Sequence, residues 1–307
     1  MTTTSASADT TAIASPSAPS PAAPSPATPS LSTASPAHPD RAYVHGYSPA
    51  EARRLGDQAD SLAGLLHAGT VYPPGSRVLE AGCGVGAQTV HLLESSPGLL
   101  LTAADISADS LARARARVAE QLPEAQVSWH HGDLHRLPFP DGSFDHLFLC
   151  FVLEHLADPA AALTALRRVL RPGGTVTVIE GDHGSAFFHP RGEAAQRVVG
   201  HLVRLQADGG GDGLIGRRLY PLLTGAGFRD VSVAPRTMYV DGGRPELAEG
   251  FTRRTFVAMV EAVRADALAA GLDTADDFDR GVAELRRTAE PDGSFHYTFF
   301  KAVAVGP

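Results

Sequence analysis

The chain has 307 residues, 43% hydrophobic and 20% charged, with a net charge of −8. That is enough apolar material for one large core, or for one core with an elaboration. The acidic balance argues against a general nucleic-acid binder, which is ordinarily basic, and no apolar stretch reaches the roughly 18 residues of a membrane helix.

Residues 1–40 are almost wholly Ser, Thr, Ala and Pro, with no apolar periodicity. Such a segment buries too little surface to offset its conformational entropy and is expected to be a disordered tail. It has neither a cationic start nor an apolar signal core, so secretion is not expected. The folded part is expected over 41–307. Ser48-Pro49-Ala50-Glu51 forms a capping box with proline at the first helical position. Leu55, Ala59, Leu62 and Leu66 then repeat at helical spacing, so this N-terminal helix lays one face on the core.

Next comes the most informative segment, Val78-Leu79-Glu80-Ala81-Gly82-Cys83-Gly84-Val85-Gly86. An apolar run ends in an acid and enters three glycines spaced two apart: a buried strand, a tight turn, then a helix from Gln88. Glycine is needed where the backbone takes conformations a side chain forbids and where a ligand approaches closely. In an open α/β sheet this first strand–helix turn holds a nucleotide-like ligand. Gly82-x-Gly84-x-x-Ala87 also satisfies the dinucleotide pattern, so the glycines alone decide nothing. Glu80 speaks against that reading, because a carboxylate pointing at the ligand would repel a pyrophosphate and hold a cationic amino group.

Downstream, Leu101-Thr102-Ala103-Ala104-Asp105-Ile106 reads as a second strand ending in an acid, 25 positions after Glu80. A carboxylate there can accept both ribose hydroxyls. His131-Gly132-Asp133-Leu134-His135-Arg136-Leu137-Pro138-Phe139 follows, then a fourth strand from Phe144 and Val152-Leu153-Glu154-His155-Leu156. Arg168-Val169-Leu170-Arg171-Pro172-Gly173-Gly174 leads into strand five, Val176–Glu180. The G-x-G-x-G turn, the acid-ended second strand, the "GD-x-x-x-LPF" segment and the "RVLRPGG" turn, in this order over about residues 75–182, resemble class I methyltransferases dependent on S-adenosyl-L-methionine (SAM). The resemblance implies that SAM rests against Glu80, Gly82, Cys83, Gly84, Gly86, Gln88, Asp105, Ile106, Gly132, Asp133, Leu134 and Cys150. Glu80 and the glycine turn would hold its methionine part, Asp105 its ribose and Asp133 its adenine. In that fold an extra N-terminal helix covers the cofactor, which makes Tyr43, Tyr47 and Gln58 substrate-pocket candidates. The tyrosines alternatively staple the helix to the domain. Cys83 and Cys150, the only cysteines, read as reduced thiols of a cytoplasmic protein.

After strand five, Gly181-Asp182-His183-Gly184-Ser185 through His189 reads as a polar, aromatic loop leaving the carboxyl end of a central strand, where ligands bind in such sheets. Asp182 and His183 are candidates to orient or deprotonate an acceptor, with His155 behind them. His189 belongs to the same pocket wall, and Arg217 is a candidate fork for an acceptor carboxylate. The histidine spacing fits no familiar metal pattern, so no metal is expected. About 60 residues separate strand six (Val231–Ala234) from the last strand (Phe295–Val305), with two helical patterns between them. Phe256, Met259, Val260, Val263 and Ala267 give the first an apolar face. This insertion, about 240–292, is expected to form a lid over the acceptor side, or a dimerisation arm that would make the protein a homodimer.

The expected fold is therefore α/β: a Rossmann-like seven-stranded sheet with helices on both faces and the last strand antiparallel, plus the N-terminal helix and the helical cap. The expected function is methyl transfer from SAM to a small-molecule acceptor in secondary metabolism, at nitrogen or oxygen with nitrogen preferred, without nucleic acid or membrane as partner. The alternative is a SAM-binding pseudoenzyme or regulatory partner, since cofactor motifs report binding and not turnover.

Overall fold

The computed structural model describes residues 49–307, with side chains from Arg54 onward. Tyr43 and Tyr47, the residues of the tail and Ser48 of the capping box lie outside the described residues. The apolar runs form strands β1 (Arg77–Ala81), β2 (Leu100–Asp105), β3 (Val127–His131), β4 (Phe144–Cys150), β5 (Leu170–His189), β6 (Arg229–Asp241) and β7 (Ser294–Val305). They make one sheet in the order β3-β2-β1-β4-β5-β7-β6. The pairs from β3 to β5 are parallel, while β7 runs antiparallel to both β5 and β6.

Strand alternation sends neighbouring side chains to opposite faces, and both faces are covered. Phe148 and Cys150 of β4 join one cluster, with Leu62 of α1 (Pro49–Leu66), Leu92 of α2 (Ala87–Ser95) and Val198 of a later helix (Glu193–Asp208). Leu147 and Leu149 join the other, with Leu163 and Leu166 of the helix Pro159–Val169 and Leu223 of the helix Leu219–Gly225. With α3 at Ala108–Gln121, these three helices are α4 (Pro159–Val169), α5 (Glu193–Asp208) and α6 (Leu219–Gly225). Coverage on both sides explains why the central strands read as continuous apolar runs.

The polar segment after strand five is not a free loop. β5 continues through it to His189, with Phe187 opposite His296 and His189 opposite Ser294, after a register shift between Asp182 and Phe187. The physical reason is that β6 and β7 run on past the parallel part of the sheet and supply the partners. The shift is a bulge, a device that re-aims side chains beside active sites.

Between β6 and β7 the chain forms α7 (Pro245–Leu247), a π-helical stretch (Ala248–Val257), α8 (Ala258–Ala262), α9 (Arg264–Ala269) and α10 (Ala275–Arg287). Its apolar face is buried, with Phe251, Phe256, Val260, Val263, Ala267, Phe278 and Leu285 at 2% exposure or less. The π-helical stretch packs tightly on α1: a Cβ on Gly250 would stand 2.6 Å from the Ser61 hydroxyl. Lys301, the single lysine of the chain, reaches from β7 to the end of α1. Its Nζ donates to the Leu66 and Ala68 carbonyls at 3.0 and 2.8 Å and to the Thr70 hydroxyl. A cation on terminal helix carbonyls is the favourable polarity, and here it anchors α1 to the sheet. No described helix is long and apolar enough to cross a membrane.

Candidate functional site

In this order the chain moves outward from β1 through β2 to β3 on one side and from β4 onward on the other. A crevice opens at the carboxyl ends of the strands where the direction reverses. The cavity there is lined by Gly82–Val85 of the β1–α2 turn, by Asp105 and Ile106 after β2, and by Asp133 and Leu134 after β3. Cys150–Val152 and Glu154–Leu156 after β4, with Gly181 and His183 of β5, form its floor. Arg54, Leu55 and Gln58 of α1, Phe251, Thr255, Phe256 and Met259 of the insertion, and Tyr297 and Phe299 of β7 complete the lining.

The turn is built by steric exclusion. Gly82 has φ +82°, and a Cβ on it would lie 2.6 Å from the Val152 side chain. Its left-handed backbone therefore brings the turn against the segment after β4 in a way only glycine permits. The Gly84 N–H donates to Asp105 Oδ2 at 2.8 Å, and the Ser107 N–H donates to Oδ1 at 2.8 Å. Those bonds orient Asp105, while burial still raises its pKa above the ordinary value. Asp133 is more open. Its Oδ1 accepts from the His135 backbone and lies 2.8 Å from His135 Nδ1. Partial burial raises its pKa, but the His135 hydrogen bonds outweigh that and the net direction is down.

A second polar group occupies the floor. His183 Nδ1 lies 2.8 Å from the Tyr297 hydroxyl, and His183 Nε2 lies 3.8 Å from Glu154 Oε2. Gln206 Nε2 donates to the same Oε2 at 3.1 Å, and His155 Nε2 stands 3.5 Å from Oε1. Burial alone would raise the Glu154 pKa, but His155, His183, Gln206 and Arg54 reverse it and keep the carboxylate ionised. Glu180, one strand away, goes the other way. Burial and the Glu154 charge push its pKa well above the ordinary carboxylate value, although its Oε1 accepts from the Val152 and Leu153 N–H groups. Burial pulls the His183 pKa below its ordinary value against the charges of Glu154 and Asp182, so the imidazole is neutral near pH 7. Both cysteine thiols are pushed up by burial and are poor nucleophiles.

The structure brings Gly82, Cys83, Gly84, Gln88, Asp105, Ile106, Asp133, Leu134, Cys150, His155, His183 and Gln58 to one cavity. Other residues expected there stand elsewhere. Glu80 is 2% exposed and lies behind the turn, where its Oε2 accepts from the Thr89 hydroxyl at 2.7 Å. The first turns of α2 lie over the end of β1 and bring Thr89 to it. Gly86 faces α3, with a Cβ position 2.9 Å from Ala114, and Gly132 faces the His130 ring; both serve packing. Asp182 is locked to Arg217 by two bonds of 2.7 and 2.8 Å, so neither aims into the cavity. Strand alternation sends Asp182 to the face opposite its neighbour His183. His189 ends β5 beside Ser294, beyond the cavity. Sequence reading did not assign Glu154, Tyr297 or Phe251 to the site. Phe295, Tyr297 and Phe299 alternate along β7 on one face, and that period of two was the available signal.

This strand order, a glycine turn after β1 and acids after β2 and β3 around one crevice define the class I SAM-dependent methyltransferase fold. Residues 79–178 match the family model described as a methyltransferase domain. Over these residues the chain carries a SAM-dependent methyltransferase domain. It is similar to an uncharacterised protein in transposon TN4556 of Streptomyces fradiae, 36% identical over 185 residues, or 59% of this chain and 52% of that protein. The 27-O-demethylrifamycin SV methyltransferase of Amycolatopsis mediterranei is 30% identical over 138 residues, covering 44% of this chain and 49% of that enzyme. The chain thus spans about half the length of these curated relatives. Among solved structures, phosphoethanolamine N-methyltransferase 2 of Haemonchus contortus, bound to phosphomonomethylethanolamine and S-adenosylhomocysteine, has a TM-score of 0.51 at 20% identity. That match covers 81% of this chain and 52% of the other, and it is a likeness of fold.

Proposed function

We propose that this chain transfers a methyl group from SAM to a small-molecule acceptor, in secondary metabolism and in the cytoplasm. One observation carries the reading: the glycine turn, Asp105 and Asp133 line the same cavity as His183 and the aromatic residues Phe251, Phe256, Tyr297 and Phe299. The residues fit SAM. Gly84 has no heavy atom within 4 Å of where a Cβ would stand, so the turn faces open space, and two carboxylates flank it. Asp105 would hold the ribose, Asp133 the adenine edge, and Ile106 and Leu134 the faces of the base, with Cys150 lining the same cavity.

Bound SAM supplies an electrophilic methyl on a sulfonium. The protein's own work is alignment and exclusion of water, which together lower a barrier by several kcal/mol. α1 and the insertion both line the cavity, and the insertion acts as a lid on a domain spanning 41–307. The similarity to a rifamycin methyltransferase supports a small-molecule acceptor. The nitrogen preference read from the sequence gains no support, since similar proteins include one named for an oxygen acceptor and one named for a nitrogen acceptor.

Calorimetric titration with SAM and S-adenosylhomocysteine, followed by transfer assays with methyl-labelled SAM, tests the proposal. Micromolar binding with transfer supports it. Binding with no transfer to any acceptor supports the regulatory alternative, and no binding by a folded protein overturns both.

A further inference from the structure

Tyr297, His183 and Glu154 come from three distant parts of the chain and meet at the cavity floor, in contact order hydroxyl, imidazole, carboxylate. All three are at least nine-tenths buried: 2% exposed for Tyr297, 4% for His183 and 8% for Glu154. His183 Nε2 has no hydrogen-bond partner among the described residues, and the nearest carboxylate to it is Glu154. That carboxylate favours the tautomer with the proton on Nε2, which leaves Nδ1 as the acceptor of the Tyr297 hydroxyl proton. The backbone makes room for this hydroxyl: a Cβ on Gly181 would stand 2.5 Å from the Tyr297 oxygen. Around it the wall is apolar, with Phe151, Phe251, Phe256, Met259 and Phe299.

We propose that Tyr297 is the catalytic residue that meets the acceptor, that His183 and Glu154 position and charge-balance it, and that the acceptor is an apolar phenol methylated on oxygen. This rests on the methyltransferase reading above. An amine with a free lone pair needs no such relay, whereas a hydroxyl must lose its proton as it attacks. As the acceptor oxygen bonds to the methyl carbon, the methyl–sulfur bond breaks and its electron pair stays on sulfur. The acceptor proton passes to the Tyr297 oxygen while the Tyr297 proton passes to His183 Nδ1. The positive charge lost from sulfur thus ends on an imidazolium facing Glu154. Asp182 also lies near His183 and favours the same charge, while His155 and Arg54 oppose it.

The test uses the full chain, methyl-labelled SAM and a panel of apolar phenols, each paired with the aniline of the same skeleton. Labelling of phenols over their anilines is expected. Tyr297→Phe should lower kcat on the phenol by about 10²-fold or more with unchanged S-adenosylhomocysteine affinity. Gly181→Ala, which crowds the hydroxyl without removing it, should lower kcat in the same direction. Glu154→Gln should move the acid limb of the kcat–pH profile to lower pH, because an uncharged neighbour makes His183 less basic. A merely structural Glu154 would not move that limb. Aniline labelling without phenol labelling, labelling of neither, or a Tyr297→Phe variant with wild-type kcat would each overturn the relay. The affinity for S-adenosylhomocysteine reports separately on the cofactor site, so its loss in wild type would sink the methyltransferase reading instead.

Discussion

Asp182 and Arg217 form a forked ion pair, with Nε to Oδ2 at 2.8 Å and Nη2 to Oδ1 at 2.7 Å. The carboxylate side chain is 4% exposed and the guanidinium 49%. Each looked available for acceptor chemistry by its residue type, and each is consumed by the other. The pair ties β5 to the turn entering α6, so its role is structural.

Asp182→Asn should therefore cost stability and spare the cofactor. A half-exposed arginine moderates the loss, which should be about 1–3 kcal/mol. Urea unfolding reads that loss, and calorimetry should find S-adenosylhomocysteine affinity within about twofold of wild type. Loss of all transfer with full stability would instead return Asp182 to the catalytic set.

The glycine turn allows a sharper test. Gly82→Ala places a methyl group 2.6 Å from Val152 in a left-handed backbone, which should cost about 1–3 kcal/mol. The turn then shifts, and S-adenosylhomocysteine binding should weaken by at least about tenfold. Gly84→Ala meets no neighbour within 4 Å, so its penalty should be smaller in stability and show in cofactor binding.

Glu80 makes the protein's stability depend on pH. Burial pushes its carboxyl from 4.5 up to about 8, against the hydrogen bond from Thr89. Between those values the native state holds a proton that the unfolded chain has released, so stability falls as pH rises through that window. Glu80→Gln should remove this component of the slope, up to about 1.4 kcal/mol per pH unit. Urea midpoints of both proteins across about pH 5 to 8 check the sign. A parallel pair of curves would show that Glu80 is ionised in the native state.

Lys301 links the sheet to α1, which lines the cavity. Lys301→Met leaves the Leu66 and Ala68 carbonyls and the Thr70 hydroxyl without their donor, which should cost about 1–3 kcal/mol. Because α1 carries Leu55 and Gln58 of the cavity wall, S-adenosylhomocysteine affinity should fall with it. Hydrogen exchange localised to α1 distinguishes this from global loosening.

Much of the site was readable before the fold because it depends on local rules. A left-handed turn demands glycine wherever it occurs, so Gly82 and Gly84 announce the ligand turn. A strand buried on both faces must be continuously apolar, so β1, β2 and β4 are visible, and the acid ending β2 stands out against them. The helical repeat of Phe256, Met259, Val260 and Val263 likewise declares a packed insertion. These patterns determined the fold class and marked Gly82, Gly84 and Asp105, which line the cavity.

Partner choice was different. Asp182 meets Arg217 across 35 positions, and His183 meets Tyr297 across 114. Glu80 turns to Thr89 inside the protein and does not line the cavity. A charged or hydroxyl side chain reaches only a few ångströms, and which groups fall within that reach is set by the sheet order, by the bulge in β5 and by the extended β6 and β7. The sequence by itself determined that a SAM-type crevice exists; only the tertiary structure decided which acids, bases and arginines face it.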